Sequence, residues 1–502
     1  MNKIASLLIA IISTSIIFFS CKKFNINSPQ DPPYAPLADH SITMQFAQLA
    51  QVGSFTSSNK GDFSVAHPAF NLNGKNIKVS WGDGVDSLYP GGSGVTVVAY
   101  HTYPRLGDYT VTITGDSLTV LNCQGNGSGT INGSGTMNTS TSWYNPSNSF
   151  MEAGVGHIVS LYINKVPEMT SLNCSYNDIQ VLSNSVAELP NLSNLTCSHN
   201  YRVGLLPLTN CTKLTNVDCS STSISKLDVS NCPLLTNLAC NEPTNGGKSL
   251  WGGINLRSLK LNNPVLTKIN CSNNQIDSLD VTQCPALITL DCSTNYALVY
   301  LKLNNPNLTT LSCGGGSANF GGPSNLTSVD FSQAPALTSL AYTYTSAKTL
   351  PPSIATLTNL TSLSCNNDSL TSLPDLTALT KLATLKFSFN FITSVDGSKL
   401  PNPTPASGRF FLYLDNNALS SFSLPWTPAA TSFSLYLMTN PFDDAAGSNG
   451  AAVDLSLCTK TTYTVDVSSS STSGTKFKTI NASTLSTSLT LFKDAGVTVV
   501  KK

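Results

Sequence analysis

The sequence predicts a mainly β chain in which a small β-sandwich precedes a long solenoid with a parallel β-sheet on its concave face. Three observations carry this. "IKVSWGDG" (77–84) alternates apolar and polar residues and breaks at Gly-Asp-Gly, and "VTVVAYHTY" and "DYTVTIT" follow with the β-branched and aromatic content of neighbouring strands. From Leu118 onward the pattern L-x-x-L-x-C-x-x-N recurs, in "LTVLNCQGN" (118–126), "MTSLNCSYN" (169–177), "LTKINCSNN" (266–274) and "LITLDCSTN" (287–295). Its ordinary spacing of 21 to 23 residues is the period of stacked structural repeats.

The chain has 502 residues, with 27 basic and 27 acidic side chains and a formal net charge of zero. Only 11% of residues are charged, and there is no basic patch or acidic tail, which argues against nucleic acid as a partner. The 40% apolar content suffices for a buried core.

The N-terminus reads MNKIASLLIAIISTSIIFFSCKK. Lys3 supplies a positive start, and the apolar run from Ile4 to Phe19 is short for a spanning helix and suited to a signal peptide. Ser20 directly before Cys21 resembles the cleavage box of bacterial lipoproteins. The resemblance implies removal of residues 1–20 and lipidation of Cys21 as the new N-terminus; an ordinary signal peptide or an uncleaved anchor is the alternative. Residues 21–40 are Pro-rich and without apolar periodicity, as a tether would be.

In the segment 41–117, Trp81-Gly82-Asp83-Gly84 followed by His101, Tyr103, Gly107, Tyr109 and Val111 resembles the PKD domain, an immunoglobulin-like sandwich. Asp83 and His101 invite a catalytic or metal reading. The resemblance gives Trp81, Asp83, His101, Tyr103 and Tyr109 structural roles instead, and makes the domain a spacer.

Within the solenoid, assigned to 118–455 with an insertion at about 125–155, Cys or a substitute falls at thirteen positions. These are Cys123, Cys174, Cys197, Cys219, Cys240, Cys271, Cys292, Cys313, Tyr342, Cys365, Phe387, Leu414 and Leu437. In L-x-C both residues face the same way, so Leu172 and Cys174 point inward while Asn173 points out. Asn177, Asn200, Asn274, Asn295, Asn390, Asn417 and Asn440 follow the strands, placed to bond the backbone of their own turn and of the next coil. A second template, "ISKLDVSNCPLL" (224–235), "LRSLKLNNPVL" (256–266) and "IVSLYINKVPEM" (158–169), supplies the opposite side of each coil. Coils around 240–271 and 313–342 are irregular, and residues 456–502, with a helix-like apolar stretch before "VTVV", are expected to cap the end. The array resembles the leucine-rich repeat family in its short bacterial form, with Cys in place of the third Leu.

Chemistry is scarce. Five histidines and no G-x-S-x-G, H-E-x-x-H or phosphate-binding loop appear, so no catalytic residues and no cofactor are expected. The cysteines follow the coil period instead of the C-x-x-C spacing of a metal site. Buried thiols, occasional disulfides and, least of all, a metal remain open.

The outward residues of the concave strands are mostly small and polar, Asn194, Asn216, Asp218, Lys268, Asn270, Asp291 and Ser364 among them. Near the C-terminal end Tyr413 and Tyr436 fall one coil apart with Phe411 and Met438 beside them, a candidate ligand-binding patch. Four Asp-Ser-Leu tripeptides, beginning at 86, 116, 277 and 368, resemble a bacterial O-glycosylation sequon. Together the resemblances imply a monomeric, non-enzymatic lipoprotein on the outer membrane, surface-exposed, binding a protein or glycan in adhesion. A structural envelope protein without ligand, or an accessory of secreted polymer degradation, is the alternative.

Overall fold

A computed structural model of the chain describes residues 39–47, 69–101, 109–124, 157–242 (apart from 178, 181 and 183–185), 256–317 and 322–420. Beyond these it describes 422–423, 429–430, 432–437, 440, 453–455, 462–466, 479–482, 490–492 and 498–501. The signal segment with Cys21, the tether up to residue 38, Tyr103 and Met438 lie outside the described residues. So does the insertion at about 125–155.

Five strands open the fold: β1 (Ser41–Ala47), β2 (Ala69–Ser80), β3 (Asp86–Tyr100), β4 (Tyr109–Asn122) and β5 (His157–Asn164). They pair antiparallel in the order β5-β1-β4-β2-β3. This sheet doubles over. Phe70 and Trp81 are eleven residues apart, roughly 36 Å along a straight strand, yet their rings stack at 5.7 Å. The bend lies where the register of β2 shifts between Asn73 and Lys75. Gly74 sits there, and a Cβ on it would stand 2.8 Å from Leu118 Cδ2. Gly91 on β3 has φ +61°, and a Cβ there would fall 2.1 Å from the Gly74 carbonyl oxygen. Glycine at both positions lets two neighbouring strands turn the same corner. The folded sheet buries Ile42, Met44, Phe46, Phe70, Ile77, Trp81, Val111 and Ile113 between its halves.

The expected division between a sandwich at 41–117 and a solenoid from 118 falls inside β4. Its first half pairs with β1, while Val120–Asn122 pair in parallel with the next strand, β6 (Ser171–Asn173). On the other side of Val120–Asn122 lie Asn71–Asn73 of β2, so the antiparallel strands cover the open edge of the first coil. A stacked array needs such an end, because its first coil otherwise exposes an apolar core and unpaired backbone groups. One continuous core runs from Ile42 and Trp81 into the coil leucines. The segment "IVSLYINKVPEM" supplies the opposite side of the first coil, where Asn177 Oδ1 accepts from the Ile158 amide at 3.1 Å and Asn191 Nδ2 donates to the Pro167 carbonyl at 2.8 Å, and as β5 its first part also pairs antiparallel with β1.

From β4 onward fifteen described strands pair in parallel, ending at Thr490–Phe492. After β4 each is short, and one register position is filled from strand to strand by an inward residue: Leu172, Leu195, Val217, Leu238, Ile269, Leu290, Leu311, Leu340, Leu363, Leu385 and Leu412 are all buried. Burial of each such side chain contributes about 1.5–3 kcal/mol relative to exposure. The opposite side carries two-stranded pairs, Lys226–Asp228 with Ser258–Lys260 and Ser278–Asp280 with Tyr300–Lys302. Further along, single turns of 3₁₀ helix at Phe331–Gln333, Pro352–Thr356 and Gly397–Lys399 replace them.

The C-terminal cap expected at 456–502 is not a separate element. Thr462–Asp466 and Thr490–Phe492 extend the concave sheet. Phe422–Ser423, Val453–Leu455, Thr479–Ala482 and Thr498–Lys501 form a second parallel sheet. The apolar stretch read as helix-like is the strand Thr490–Phe492.

Candidate functional site

The concave face is built by the residues on either side of each buried central Leu, Ile or Val. Parallel register stacks equivalent positions, so the face consists of side-chain columns. One column runs through Asn194, Asn216, Asn237, Lys268 and Thr289, and the column across the central residue runs through Thr196, Asp218, Ala239, Asn270 and Asp291. In the first, Asn216 Nδ2 donates to Asn194 Oδ1 and Asn237 Nδ2 donates to Asn216 Oδ1, both at 2.8 Å.

Asp218 and Asp291 are partly spent on the fold. Asp218 Oδ1 accepts from the amide and hydroxyl of Ser220 at 3.1 and 2.6 Å, and Asp291 Oδ1 does the same with Ser293. Asn173 and Asn270 repeat the arrangement with Ser175 and Ser272. On the opposite side Asp228 and Asp280 hold Ser230 and Thr282 in the same way. The recurrent D-x-S/T therefore closes the turn after a strand.

Toward the C-terminal end the second column changes character. Lys386, Tyr413 and Tyr436 are in register on adjacent strands. The tyrosine rings are parallel within 1° and 4.3 Å apart, and Lys386 Nζ lies 5.2 Å from the Tyr413 ring centroid. The rings thus cover one another's faces and present edges and hydroxyls to the groove. Burial, with the neighbouring Tyr436 adding to it, pushes the Tyr413 phenol above its ordinary value. Phe411 is half-buried in the other column, between Thr384 and Ser434.

The ladder cysteines Cys174, Cys197, Cys219, Cys240, Cys271, Cys292, Cys313 and Cys365 are buried free thiols. Tyr342, Phe387, Leu414 and Leu437 fill the same column. Burial pushes Cys174 and Cys219 up to about 12, far from the thiolate that nucleophilic or metal chemistry needs. Among the described residues no group of three or more His, Cys, Asp or Glu side chains is placed to hold a metal.

The asparagines beside them bind coil to coil. Asn200 Nδ2 donates to the carbonyls of Cys197 in its own coil and Cys174 in the preceding one, both at 3.0 Å. Its Oδ1 accepts from the Ile179 amide at 3.0 Å. Asn177, Asn274, Asn295, Asn390, Asn417 and Asn440 do likewise. The bonds reach the preceding coil, where the sequence reading pointed to the next.

A second ladder escaped the sequence reading. Asn263 Nδ2 donates to the carbonyls of Val229 and Cys232, and Asn305 Nδ2 to those of Val281 and Cys284. Both asparagines are fully buried. The signal was the Asn-Pro of "LNNP" standing where other coils have Cys-Pro. His199, with φ +56°, stacks on Tyr176 at 4.1 Å on the turn edge, a pairing that lies across two coils.

In the N-terminal sheet, His101 Nε2 and Asp83 Oδ2 are 2.7 Å apart, and Asp83 Oδ1 accepts from the Val85 amide at 3.1 Å. Burial raises the Asp83 carboxyl, but the bonds from His101 and Val85 outweigh it and hold it below its ordinary value. Trp81 stacks between Phe70 and His101 and donates Nε1–H to Ser87 Oγ at 2.9 Å. Tyr109 packs against this core. The pair braces the Gly82–Gly84 turn on an aromatic stack.

The fold and these columns define a solenoid of short leucine-bearing coils. No protein-family model and no curated protein matches the sequence. Among solved structures, the functional domain of InlJ from Listeria monocytogenes, described as including a cysteine ladder, is 23% identical with a TM-score of 0.43. That similarity covers 64% of this chain and 68% of the other. YopM from Yersinia enterocolitica WA-314 is 20% identical over 68% of this chain and 74% of its own, with a TM-score of 0.42. An internalin, inlF, from Listeria monocytogenes is 19% identical over 62% and 84%, with a TM-score of 0.39.

Proposed function

We propose that the chain is a leucine-rich repeat protein that binds a protein or glycan ligand on its concave face without catalysing a reaction. The observation that carries this reading is the Lys386–Tyr413–Tyr436 column. A cation and two stacked phenols are grouped on a face whose outward residues in the earlier coils are mostly small and polar. Tyrosine combines a large contact area with a hydroxyl, the composition favoured at the centre of binding interfaces.

Lipidation of Cys21 would fix the protein to the outer membrane with the solenoid held at the cell surface. The antiparallel strands, with their Trp81-Gly82-Asp83-Gly84 turn, are the PKD-like part, acting as the N-terminal cap of the array. Adhesion through a monomeric chain is the role that fits these parts.

The test is a binding screen of residues 21–502 against glycans and extracellular proteins, repeated with Tyr413→Ala/Tyr436→Ala. Ligands lost with the double variant support the reading. A ligand that survives it moves the site elsewhere, and no ligand at all favours a structural envelope protein. Metabolic labelling with a radioactive fatty acid, absent in Cys21→Ala, tests the anchor, and protease shaving of intact cells tests surface exposure.

A further inference from the structure

We propose that Asp368 is a pH sensor built into the solenoid, standing in for a ladder asparagine as a neutral carboxylic acid whose ionisation loosens the contact between the Tyr342 and Cys365 coils. Asp368 lies three residues after Cys365, the spacing that separates Asn177 from Cys174 and Asn295 from Cys292. In those coils the side-chain oxygen accepts from the preceding coil, and the amide donates to main-chain carbonyls of both coils. Asp368 keeps the accepting half. Its Oδ1 takes hydrogen bonds from the Thr345 amide at 2.6 Å and the Thr345 hydroxyl at 2.9 Å. The donating half is missing. Oδ2 is buried with no hydrogen-bond partner, and the residue is only 4% exposed.

A proton on Oδ2 supplies the donor that the amide supplies elsewhere. An ionised Oδ2 would be a buried charge with no donor to meet it, an expensive state. The titratable groups that its charge would reach are the Tyr342 phenol and the Cys313 and Cys365 thiols, all pushed up by burial and so neutral. Tyr342 is itself committed, donating its hydroxyl to the Leu326 carbonyl. From the following coil comes the uncharged Asn390, which donates to the Cys365 carbonyl. Among the described residues no cation offsets the burial of Asp368. Burial pushes the carboxyl from its ordinary 3.8 up to about 7, the direction that the missing donor demands.

The sign follows from linkage. Between about pH 4 and pH 7 the folded chain holds a proton that the unfolded chain has released, so stability falls as pH rises. That one proton corresponds to an increase of up to about a thousandfold in the opening constant across that range. The array is then tightest in mild acid and looser at these coils in neutral and alkaline solution.

The experiment compares the unfolding of the full chain and of Asp368→Asn from about pH 4 to about pH 9. Asn restores the donor without charge, so the variant should gain stability at neutral pH and lose most of the slope. Isotope-edited infrared spectroscopy of the unsubstituted chain, labelled at aspartate carboxyls, should show a protonated acid band that persists near pH 6 and is absent from Asp368→Asn. Parallel pH profiles of the two proteins would overturn the proposal. So would an acid band fully lost by about pH 5, a readout that holds even where the variant does not fold.

Discussion

The side-chain amide of Asn274 donates to the carbonyl of Cys240, one coil upstream, at 2.9 Å. It also donates to Cys271 in its own coil, and its oxygen accepts from the Leu256 amide. One side chain thus satisfies backbone groups on both sides of a coil junction. A buried polar group left without a partner costs about 1–3 kcal/mol. Asn274→Ala should therefore lower stability by about 2–4 kcal/mol, read as a shifted urea midpoint. A shift below about 1 kcal/mol would mean that water replaces the amide.

The buried thiols, both those of the cysteine column and those on the opposite side of the coils, should resist chemistry until the array opens. Burial holds Cys174, Cys219 and Cys232 up to about 12 and Cys211 up to about 11. At about pH 8 the thiolate fraction is then on the order of one in a thousand or less, before access is counted. Mass spectrometry after alkylation should find these cysteines unmodified in the native protein and modified in urea. Rapid native labelling of any of them would contradict the burial described.

Much of this was legible because the coil period is written in side chains that the fold needs at fixed places. L-x-C places two residues on the inward face, and Asn three residues later has a bonding task that few side chains perform, so the column from Cys123 to Leu437 could be read residue by residue. Where the task passes to other residues, the signal fades. The strands Thr462–Asp466 and Thr490–Phe492 continue the sheet with Val465 and Leu491 at the central position, but neither is followed by the Cys and Asn signature. Alternation also says which face is buried without saying which strand is the partner. "IVSLYIN" reads as the back of a coil, and its further antiparallel pairing with β1 is decided by tertiary structure. Tyr413 and Tyr436 were placed by the period alone, while the contact of Lys386 with Tyr413 depends on a side-chain path that no spacing encodes.

The corner of the N-terminal sheet should tolerate no Cβ. Gly91 combines φ +61° with a backbone oxygen 2.1 Å from where a Cβ would stand, and that oxygen belongs to Gly74, itself at the bend. Gly91→Ala must shift backbone as well as strain it, and the cost should exceed about 1–2 kcal/mol. Because β2 also covers the first coil, the loss should appear as faster amide exchange at Leu121 and Leu172. Exchange unchanged there, with slower folding only, would separate the corner from the cap.

The stacked tyrosines should show coupling beyond their individual packing. The parallel rings are in contact, 4.3 Å apart, and aromatic pairs contribute about 0.5–1.5 kcal/mol beyond area burial. A double-mutant cycle on Tyr413→Ala and Tyr436→Ala should return a coupling of that size. Additive losses would make each phenol an independent contact, available to a ligand without disturbing the other.

Acid should destabilise the array through carboxylates whose shifts oppose that of Asp368. The Asp280 carboxyl is held below its ordinary value by the Thr282 hydroxyl, with the Thr282 amide and Lys302 adding to it. For Asp228 burial pulls upward, but the bonds from Ser230 and Lys260 win and the net direction is down. A depressed carboxylate contributes stability that is present above its unfolded value, near pH 4, and lost as pH falls through the folded one. Both groups are substantially exposed, so each contribution is modest and screened by salt. Thermal unfolding followed against pH should therefore rise from strong acid to a maximum in mild acid, then decline toward neutrality through Asp368. Asp228→Asn/Asp280→Asn should flatten the acid limb alone, since each amide oxygen can still accept from Ser230 or Thr282 but no longer titrates. An unaltered acid limb in that variant would assign acid sensitivity to other carboxylates.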